Sequence, residues 1–259
     1  MQITFYKYQA AGNDFIIIDN RLKLFDKNNT KLIKKICDRR LGIGSDGLIL
    51  LELQKKFDFR MIYFNSDGYE STMCGNGGRC IVAFAKKINL INNEAFFLAI
   101  DGHHHAIIED SIVKLKMKDV TEVKRIGEDF LLDTGSPHYV CFKSNISDID
   151  VNIVGAQIRN RKIFKNKGVN VNFVEHKKEN IFFVRTYERG VEAETLSCGT
   201  GVTAVAIAVH FSKKASINEI ILNTKGGVLN VNFTNNKLHY KDVWLRGPYE
   251  YIYQGTLNI

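Results

Sequence analysis

The amino-acid sequence predicts an α/β (α+β) fold of two similar lobes, each with many short strands around a buried central helix. Three observations predict it. Short strand-like runs recur along the chain, two helical segments are apolar on every face, and a cysteine–glycine segment occurs twice. The chain has 259 residues, of which 45% are hydrophobic and 25% charged, a composition typical of globular proteins. This length suits two lobes of about 120–130 residues.

The strand-like runs are short and end at turn signals. Residues 15–18 precede Asp19-Asn20, and residues 60–64 end at a segment, 65–68, that contains Asp-Gly, a strong turn signal. Residues 112–117 alternate between apolar and polar with a period of two, as a half-buried strand does. Further strands are predicted at 48–51, 181–186, 228–233 and 243–245.

Helical patterns are fewer. Residues 31–39 place three aliphatic side chains on one side of a helix. Residues 78–87 and 201–211 are small or apolar on every face, which is typical of buried helices. We therefore expect two central helices, each surrounded by strands.

An internal repeat links these two helices. Residues 73–83 and 197–206 both read Cys-Gly-polar-Gly and then enter a predicted helix, and Cys74 and Cys198 lie about half the chain apart. One duplicated unit, giving two lobes that face each other, explains this spacing most simply.

Each copy of the repeat combines features that favour an anion. The glycines predict a tight loop that a ligand can approach closely. The first amides of the following helix lack partners within the helix and, with the helix dipole, attract negative charge. A thiol at this place is expected to be partly ionised at neutral pH.

Two such thiols on either side of one carbon could invert its configuration. One thiolate would remove a proton from one face, and the other thiol would deliver a proton to the opposite face. Preorganised amides would stabilise the charge that develops next to an amino-acid carboxylate. The pattern therefore predicts an amino-acid epimerase or racemase that needs no cofactor and no metal.

The same residues carry a family resemblance. The sequence resembles the diaminopimelate epimerase family along nearly its whole length, through eight blocks that occur in the family's order. The blocks are residues 12–15, 42–47, 64–68, 74–77, 135–138, 169–173, 187–190 and 194–201.

The resemblance implies interconversion of LL- and meso-2,6-diaminopimelate in lysine biosynthesis, without a cofactor. It also implies two pseudo-symmetric lobes, each a curled, mostly antiparallel sheet around a central helix, with the active site in the cleft between them. We expect the N-terminal lobe to comprise residues 1–118 plus 250–259 and to carry Cys74. The C-terminal lobe would comprise residues 119–249 and carry Cys198.

Matching positions imply a role for each site residue. Cys74 and Cys198 would be the two acid–base residues. An arginine can hold a carboxylate through two parallel hydrogen bonds, so Arg189 would bind the distal carboxylate. The remaining assignments are backbone amides of Gly75, Asn76, Gly199 and Thr200 for the reacting carboxylate, Asn13, Asn65 and Asn170 for substrate binding, Glu188 near the reacting amine, and His138 in a possible supporting position.

The chain departs from the family pattern at three places. Gly47 stands where many members have glutamine, and Ser136 stands where many have asparagine. The segment between Arg189-Gly190 and Glu194-Thr195 is one residue longer than in some members. These departures affect individual hydrogen bonds to substrate and leave the cysteine pair intact.

Charge and cysteine usage predict the cellular setting. The formal net charge is +8, but the lysines are scattered, and the cluster at 159–167 lacks the interleaved aromatic residues of a nucleic-acid module. Five cysteines in a chain of this length do not indicate a disulfide framework. No signal peptide is evident and no apolar run is long enough to span a bilayer. We expect a cytoplasmic enzyme that binds a small molecule and neither nucleic acid nor membrane, and the family resemblance suggests a homodimer.

Other interpretations stay open. His103-His104-His105 could suggest a metal, although neighbouring strand residues point to opposite faces and rarely bind one ion. A proline or hydroxyproline racemase would use the same two thiols, but proline has no second amino-acid end for Arg189. A non-catalytic binding module and a thiol–disulfide protein are the candidates from other classes.

Overall fold

The computed structural model describes residues 1–164, 168–236 and 239–259. The chain folds as two compact units, one formed by Met1–Leu115 with Gly247–Ile259 and the other by Lys116–Arg246. The end of the basic cluster at 159–167 lies outside the described residues, because 165–167 are not among them.

The first unit contains two helices and a series of short strands. Its elements are β1 Gln2–Ala10, β2 Asn13–Asp19, α1 Thr30–Cys37, β3 Gly47–Glu52, β4 Phe59–Asn65, β5 Glu70–Ser71, α2 Gly75–Lys87, β6 Glu94–Ala99, β7 Gly102–Glu109, β8 Ile112–Lys116 and, at the end of the chain, β18 Glu250–Asn258.

From β10 onward the second unit has helices and strands in the same order as the first, and one further strand, β9, precedes them. The elements of the second unit are β9 Val123–Ile126, β10 Asp129–Asp133, β11 Pro137–Phe142, α3 Val151–Arg159, β12 Asn170–Lys178, β13 Ile181–Glu188, β14 Ala193–Thr195, α4 Gly199–Phe211, β15 Glu219–Thr224, β16 Gly227–Asn236 and β17 His239–Pro248, with 3-10 turns at Ile146–Asp148 and Lys162–Phe164.

Strand pairing shows that the duplication extends over the whole fold. In the first unit β1 pairs with β2 and with β18, β3 with β4, β4 with β5, β6 with β7 and β7 with β8, all antiparallel, while β2–β3 and β4–β6 are parallel. In the second unit β10 pairs with β11 and β9, and the parallel pairs are β11–β12 and β13–β15. Each parallel pair of the first unit therefore has a counterpart in the second unit. Strand β9 pairs with β10 in the same way as β18 pairs with β1.

The sheet of the first unit is buried on both faces. One face packs around α2, since a methyl group built on Gly77 would contact Phe15, Ile49 and Met61. The other face carries a second core under α1, formed with the alternate strand residues. Its buried members are Ile3, Phe5, Ile16, Ile18, Phe25, Ile33, Ile36, Cys37, Leu48, Leu50, Ile62 and Phe64. This is why β3 is buried along its whole length and reads as a continuous apolar run.

The second unit repeats this two-sided packing around α4 and under α3. Helix α4 packs against β10 to β13, β15 and β16. Asp150 caps α3 by accepting a hydrogen bond from the backbone N–H of Ile153 (3.0 Å). A Cβ on Gly155 would come within 2.5 Å of Tyr187, so α3 lies close against β13.

The fold class predicted from the sequence is confirmed: the chain is a sheet-dominated α/β protein with two similar lobes, each built around a buried helix. The sequence analysis did not assign α3, because a nine-residue helix with few buried side chains has a weak periodic signal. The central helices begin earlier than predicted, at Gly75 and Gly199 instead of Gly78 and Gly201.

Candidate active site

The two repeated cysteines occupy equivalent positions at the start of the two central helices. Cys74 is the N-cap of α2 and Cys198 is the N-cap of α4, both with extended backbone conformations. Neither cysteine side chain makes a capping hydrogen bond to its helix. Neither helix start therefore carries the usual N-cap side-chain oxygen, and the helix dipole at each start favours an anion.

The glycines after each cysteine do not form the predicted loop. Gly75, Gly77, Gly199 and Gly201 lie in the first helical turns, and none of them has a positive φ. Their role is close packing, not a special backbone conformation. A Cβ on Gly201 would lie 2.6 Å from Asn172 Oδ1 and 3.4 Å from the sulfur of Cys198.

A directed chain of hydrogen bonds fixes the amide side chains beside Cys74. Arg79 Nη2 donates to Asn76 Oδ1 (2.7 Å), and Asn76 Nδ2 donates to Asn13 Oδ1 (2.5 Å). Asn13 Nδ2 then donates to the carboxylate of Asp46 (2.9 Å). Because the arginine can only donate and an ionised carboxylate can only accept, the orientation of both amides is determined.

An ion-pair network anchors the far end of this chain. Arg39 bonds to Asp14 (2.6 Å) and to Asp46 (2.8 Å), and the buried Lys7 contacts Asp14 at 2.6 Å. Burial by itself would raise the pKa of Asp14. The hydrogen bonds from Arg39 and Lys7 have a larger effect and lower this pKa to about 2. The Asp14 carboxylate therefore stays ionised and helps to fix the β1–β2 corner on which Asn13 lies.

A second chain of polar side chains leads to Cys198. The sulfur of Cys198 lies 3.5 Å from Thr200 Oγ1, and Thr200 Oγ1 lies 2.9 Å from His138 Nε2. On the other side of the ring, Asn172 Nδ2 lies 3.2 Å from His138 Nδ1 and also donates to the carbonyl oxygen of Tyr139 (3.2 Å). Thr186 donates to Asn172 Oδ1 (3.0 Å).

These contacts assign the protons along the chain. The carbonyl of Tyr139 requires the NH2 group of Asn172 on that side, so His138 Nδ1 accepts from the same amide. The proton of the neutral ring is then on Nε2, which donates to Thr200. The hydroxyl hydrogen of Thr200 is then free to point toward the sulfur of Cys198.

His138 stays neutral because it is completely buried. Burial lowers its pKa to about 3. A protonated ring would also have no acceptor nitrogen for the hydrogen bond from Asn172. His138 therefore acts as a fixed hydrogen-bond donor at neutral pH and does not titrate with the cysteines.

This burial predicts a pH-dependent stability. Below pH 6.5 the unfolded chain binds a proton that folded His138 does not bind until about pH 3, so stability is lost as the pH falls through this window. Replacing His138 by glutamine should reduce the stability lost between pH 6.5 and pH 5 by about 1–2 kcal/mol. Urea unfolding at several pH values measures the difference, and the exposed His176, changed to glutamine, is the control. Parallel pH profiles for wild type and His138→Gln would contradict the assignment.

The remaining predicted residues of the second unit converge on Ser136. Asn170 Nδ2 donates to Ser136 Oγ (2.9 Å), and Arg189 Nη2 lies 3.3 Å from the same oxygen. Asn170 Oδ1 accepts the backbone N–H of Arg189 (2.8 Å). The departure at Ser136 thus places a hydroxyl between two predicted substrate-binding side chains, and Glu188 lies next to Arg189 at the end of β13.

The predicted residue Asn65 lies opposite Gly47, one of the departures from the family pattern, at one end of the β3–β4 pair. Asn65 ends β4 with an exposed side chain, and its backbone closes a turn by hydrogen bonds to Gly68 and Tyr69. It pairs with Gly47 in the β3–β4 ladder. A Cβ on Gly47 would lie 2.5 Å from Phe64 O and from Tyr63 Cε2, so no side chain fits there without a backbone shift.

Among the described residues, the other cysteines and the histidine run belong to neither of these hydrogen-bond chains. Cys37, Cys80 and Cys141 are buried thiols whose pKa values burial raises. His104 contacts Asp101 (3.3 Å) and His105 contacts Glu94 (2.7 Å). In the described ranges, no group of three or more His, Cys, Asp or Glu side chains is arranged to hold a metal ion. No helix among the described residues is long and apolar enough to cross a membrane.

Sequence reasoning missed three residues that position the site. Asp46 and Asn172 lie inside blocks quoted for the family resemblance, and Arg79 lies inside the repeat. Asp46 and Asn172 contact side chains 33 and 34 positions away in the chain. Arg79 contacts Asn76 within α2, but neither residue type nor spacing indicated that contact.

Comparisons with known proteins place the chain in a family. The family model described as diaminopimelate epimerase matches residues 5–117 and 130–251. A diaminopimelate epimerase of Flavobacterium psychrophilum is 54% identical over 253 residues, which cover 97% of this chain and 99% of that protein.

Two solved structures share the fold at low sequence identity. A Bacillus anthracis phenazine biosynthesis protein of the PhzF family has a TM-score of 0.80 at 14% identity and covers all of both chains. A hydroxyproline epimerase of Agrobacterium vitis has a TM-score of 0.69 at 12% identity, covering 99% of this chain and 92% of that chain. Since the family model matches most of both units and a full-length relative is more than half identical, this chain belongs to the diaminopimelate epimerase family.

Proposed function

We propose that this chain interconverts LL- and meso-2,6-diaminopimelate, as the names of its relatives suggest, and so serves lysine biosynthesis. The observation that carries the proposal is the pair of cysteines at equivalent helix N-termini, in a chain whose relatives are diaminopimelate epimerases. We further propose that the protein is cytoplasmic and forms a homodimer.

In the proposed reaction the two cysteines act in turn on one α-carbon. One thiolate removes the α-proton, and the other thiol supplies a proton from the opposite face, which inverts the configuration. The mechanism requires that each lobe supply one cysteine to the same substrate. No electron sink such as pyridoxal enters the proposal, because the negative charge that develops is stabilised by the amides at the helix starts.

The proposed substrate contacts use both half-sites. The backbone amides of Gly75-Asn76 and Gly199-Thr200 would hold the reacting carboxylate, and Arg189 would hold the distal one. Ser136, which already contacts Arg189 Nη2, would set the direction of its guanidinium, and Asn170 would hold the backbone of Arg189. Asn13, Asn65 and Glu188 would contact the amino groups and carboxylates that remain.

Proton exchange in deuterated water tests the proposal. LL-diaminopimelate should gain deuterium at the α-carbon and appear as the meso isomer, whereas L-proline should gain none, because it lacks the distal end that Arg189 would bind. Mass spectrometry and chiral chromatography measure the two results. Exchange into proline without exchange into diaminopimelate would instead favour the proline or hydroxyproline racemase. No exchange into either would favour a binding module.

A further inference from the structure

Arg79 is a completely buried arginine in the first turns of α2. Its Nη1 donates to the carbonyl oxygen of Gly75 (3.3 Å), its Nη2 to Asn76 Oδ1 (2.7 Å) and its Nε to the carbonyl oxygen of Pro248 (3.2 Å). All three acceptors are neutral. Within residues 1–164, 168–236 and 239–259, no carboxylate lies within ion-pair distance of this guanidinium.

The position of Arg79 is unfavourable in two ways. A buried charge without a counter-charge loses its hydration. A cation near the N-terminus of a helix is also repelled by the helix dipole. Burial lowers the pKa of Arg79 to about 10, which still leaves the side chain positively charged at neutral pH. A charge kept at such a place indicates that its counter-ion comes from the chemistry of the site.

The thiolate of Cys74 is the anion that the site can supply to this charge. The guanidinium bonds to Gly75 and Asn76, the two residues that follow Cys74, and its charge interacts with Cys80 and, less strongly, with Cys74. Cys80 is fully buried, and burial holds its pKa well above the ordinary value, so it stays neutral. Cys74 is partly exposed and is the group that can ionise.

At the position equivalent to Arg79, the second unit carries an uncharged residue. The position equivalent to Arg79 in the repeat is Thr203, whose hydroxyl donates to the carbonyl oxygen of Gly199 (2.8 Å). Thr203 thus makes the same type of contact to the first helical turn as Arg79 makes to Gly75, without a positive charge. Cys198 relies instead on the neutral chain through Thr200 and His138. The two half-sites are alike in backbone but different in electrostatics.

We infer that Arg79 is a positioning residue for the reaction: its buried charge holds Cys74 as the thiolate while its hydrogen bonds fix Asn76 for the substrate carboxylate. This inference rests on the proposed role of Cys74 as an acid–base residue. It assigns Cys74 as the thiol that is ionised in the resting enzyme, and Cys198 as its protonated partner.

Other charged and titratable groups lie around Cys74 and Arg79. Burial raises the pKa of Tyr8, on β1, so that it stays neutral. Asp101 accepts the backbone N–H of Met73 (3.3 Å) and lies beside His104. Asp46 lies at the end of the amide chain. All of these groups remain when Arg79 alone is replaced, so the substitution isolates the effect of its charge.

Alkylation of Cys74 tests the inference without any substrate. In a Cys198→Ser background the other three thiols are buried, so the rate of reaction with iodoacetamide reports on Cys74. We expect the midpoint of the rate against pH to rise by about one unit or more in Arg79→Gln, and Arg79→Lys to restore most of the shift. In a Cys74→Ser background, Thr203→Val should leave the midpoint for Cys198 unchanged. Thermal unfolding and circular dichroism show whether each variant is folded.

Two results would overturn the inference. One is a folded Arg79→Gln protein in which the Cys74 midpoint equals that of the parent. The other needs no change at Arg79: a Cys74 midpoint at or above about 8.5, the ordinary thiol value, in the Cys198→Ser protein. This second measurement decides the question if Arg79→Gln does not fold. Because alkylation needs no turnover, it is independent of the deuterium exchange that tests the proposed function.

Discussion

Replacing either Cys74 or Cys198 by serine is expected to lower the rate of epimerisation by at least about 10³-fold. General acid–base groups contribute about 10²–10⁴-fold each, and a hydroxyl ionises far less readily than a thiol. In a mechanism with one base and one acid, the loss of either group stops inversion. The serine variants should remain folded, because both positions are N-caps, where serine is a preferred residue.

The measurement is the initial rate of LL to meso conversion, followed by chiral chromatography. Cys141→Ser is the matched control, since Cys141 is a buried thiol on β11 outside both half-sites. It should lose some stability and keep its activity. If Cys74→Ser or Cys198→Ser converted the substrate at a rate within tenfold of the wild type, the two-cysteine mechanism would be wrong for this chain.

The second large effect is expected at Gly201. A Cβ in Gly201→Ala would lie 2.6 Å from Asn172 Oδ1 and 3.2 Å from Cys198 Cβ, a distance at which Asn172 must move. Its displacement would release His138, and through Thr200 it would shift the hydrogen bond to Cys198. We expect kcat/KM to fall about 10²-fold, because small displacements of reacting groups have effects of this size.

Gly77→Ala is the matched control, because Gly77 holds the same place in the repeat as Gly201. Its Cβ would meet the terminal carbons of Ile49 (3.1 Å) and Met61 (3.4 Å), and these flexible side chains can move. We expect a loss of activity at least tenfold smaller than for Gly201→Ala. Steady-state kinetics with thermal unfolding as a stability check measure both variants, and equal losses would show that Asn172 does not position Cys198.

Of the 18 strands in the described part of the chain, seven were predicted from the sequence, as were α1 and both central helices. Runs such as 60–64 and 112–117 correspond to β4 and β8, because a period of two or a continuous apolar run reports directly which faces are buried. Helix α3 was missed, since it buries only Val151, Gly155 and Ile158. Its formation depends on packing against β13, which local sequence does not encode.

The glycine segment shows where local reasoning was wrong. The pattern Cys-Gly-polar-Gly predicted a loop, because glycine is common where the backbone needs a positive φ. In the structure the same glycines are helical and allow close packing of Asn172, Ile49 and Met61. The repeat in the sequence indicated that glycine is required at these positions. The reason, which is the close approach of neighbouring side chains, is visible only in the folded structure.

The sequence alone determined the duplication, the two cysteines at helix starts and the family, because residue identity and spacing along the chain are sufficient for each of them. Tertiary structure decided which residues support each cysteine. Asp46 and Asn172 act through hydrogen bonds to residues 33 and 34 positions away. Arg79 acts through its buried charge and through hydrogen bonds to Asn76, three positions away, and to Pro248, 169 positions away. Such interactions fall off steeply with distance in space, and distance in space is set by folding.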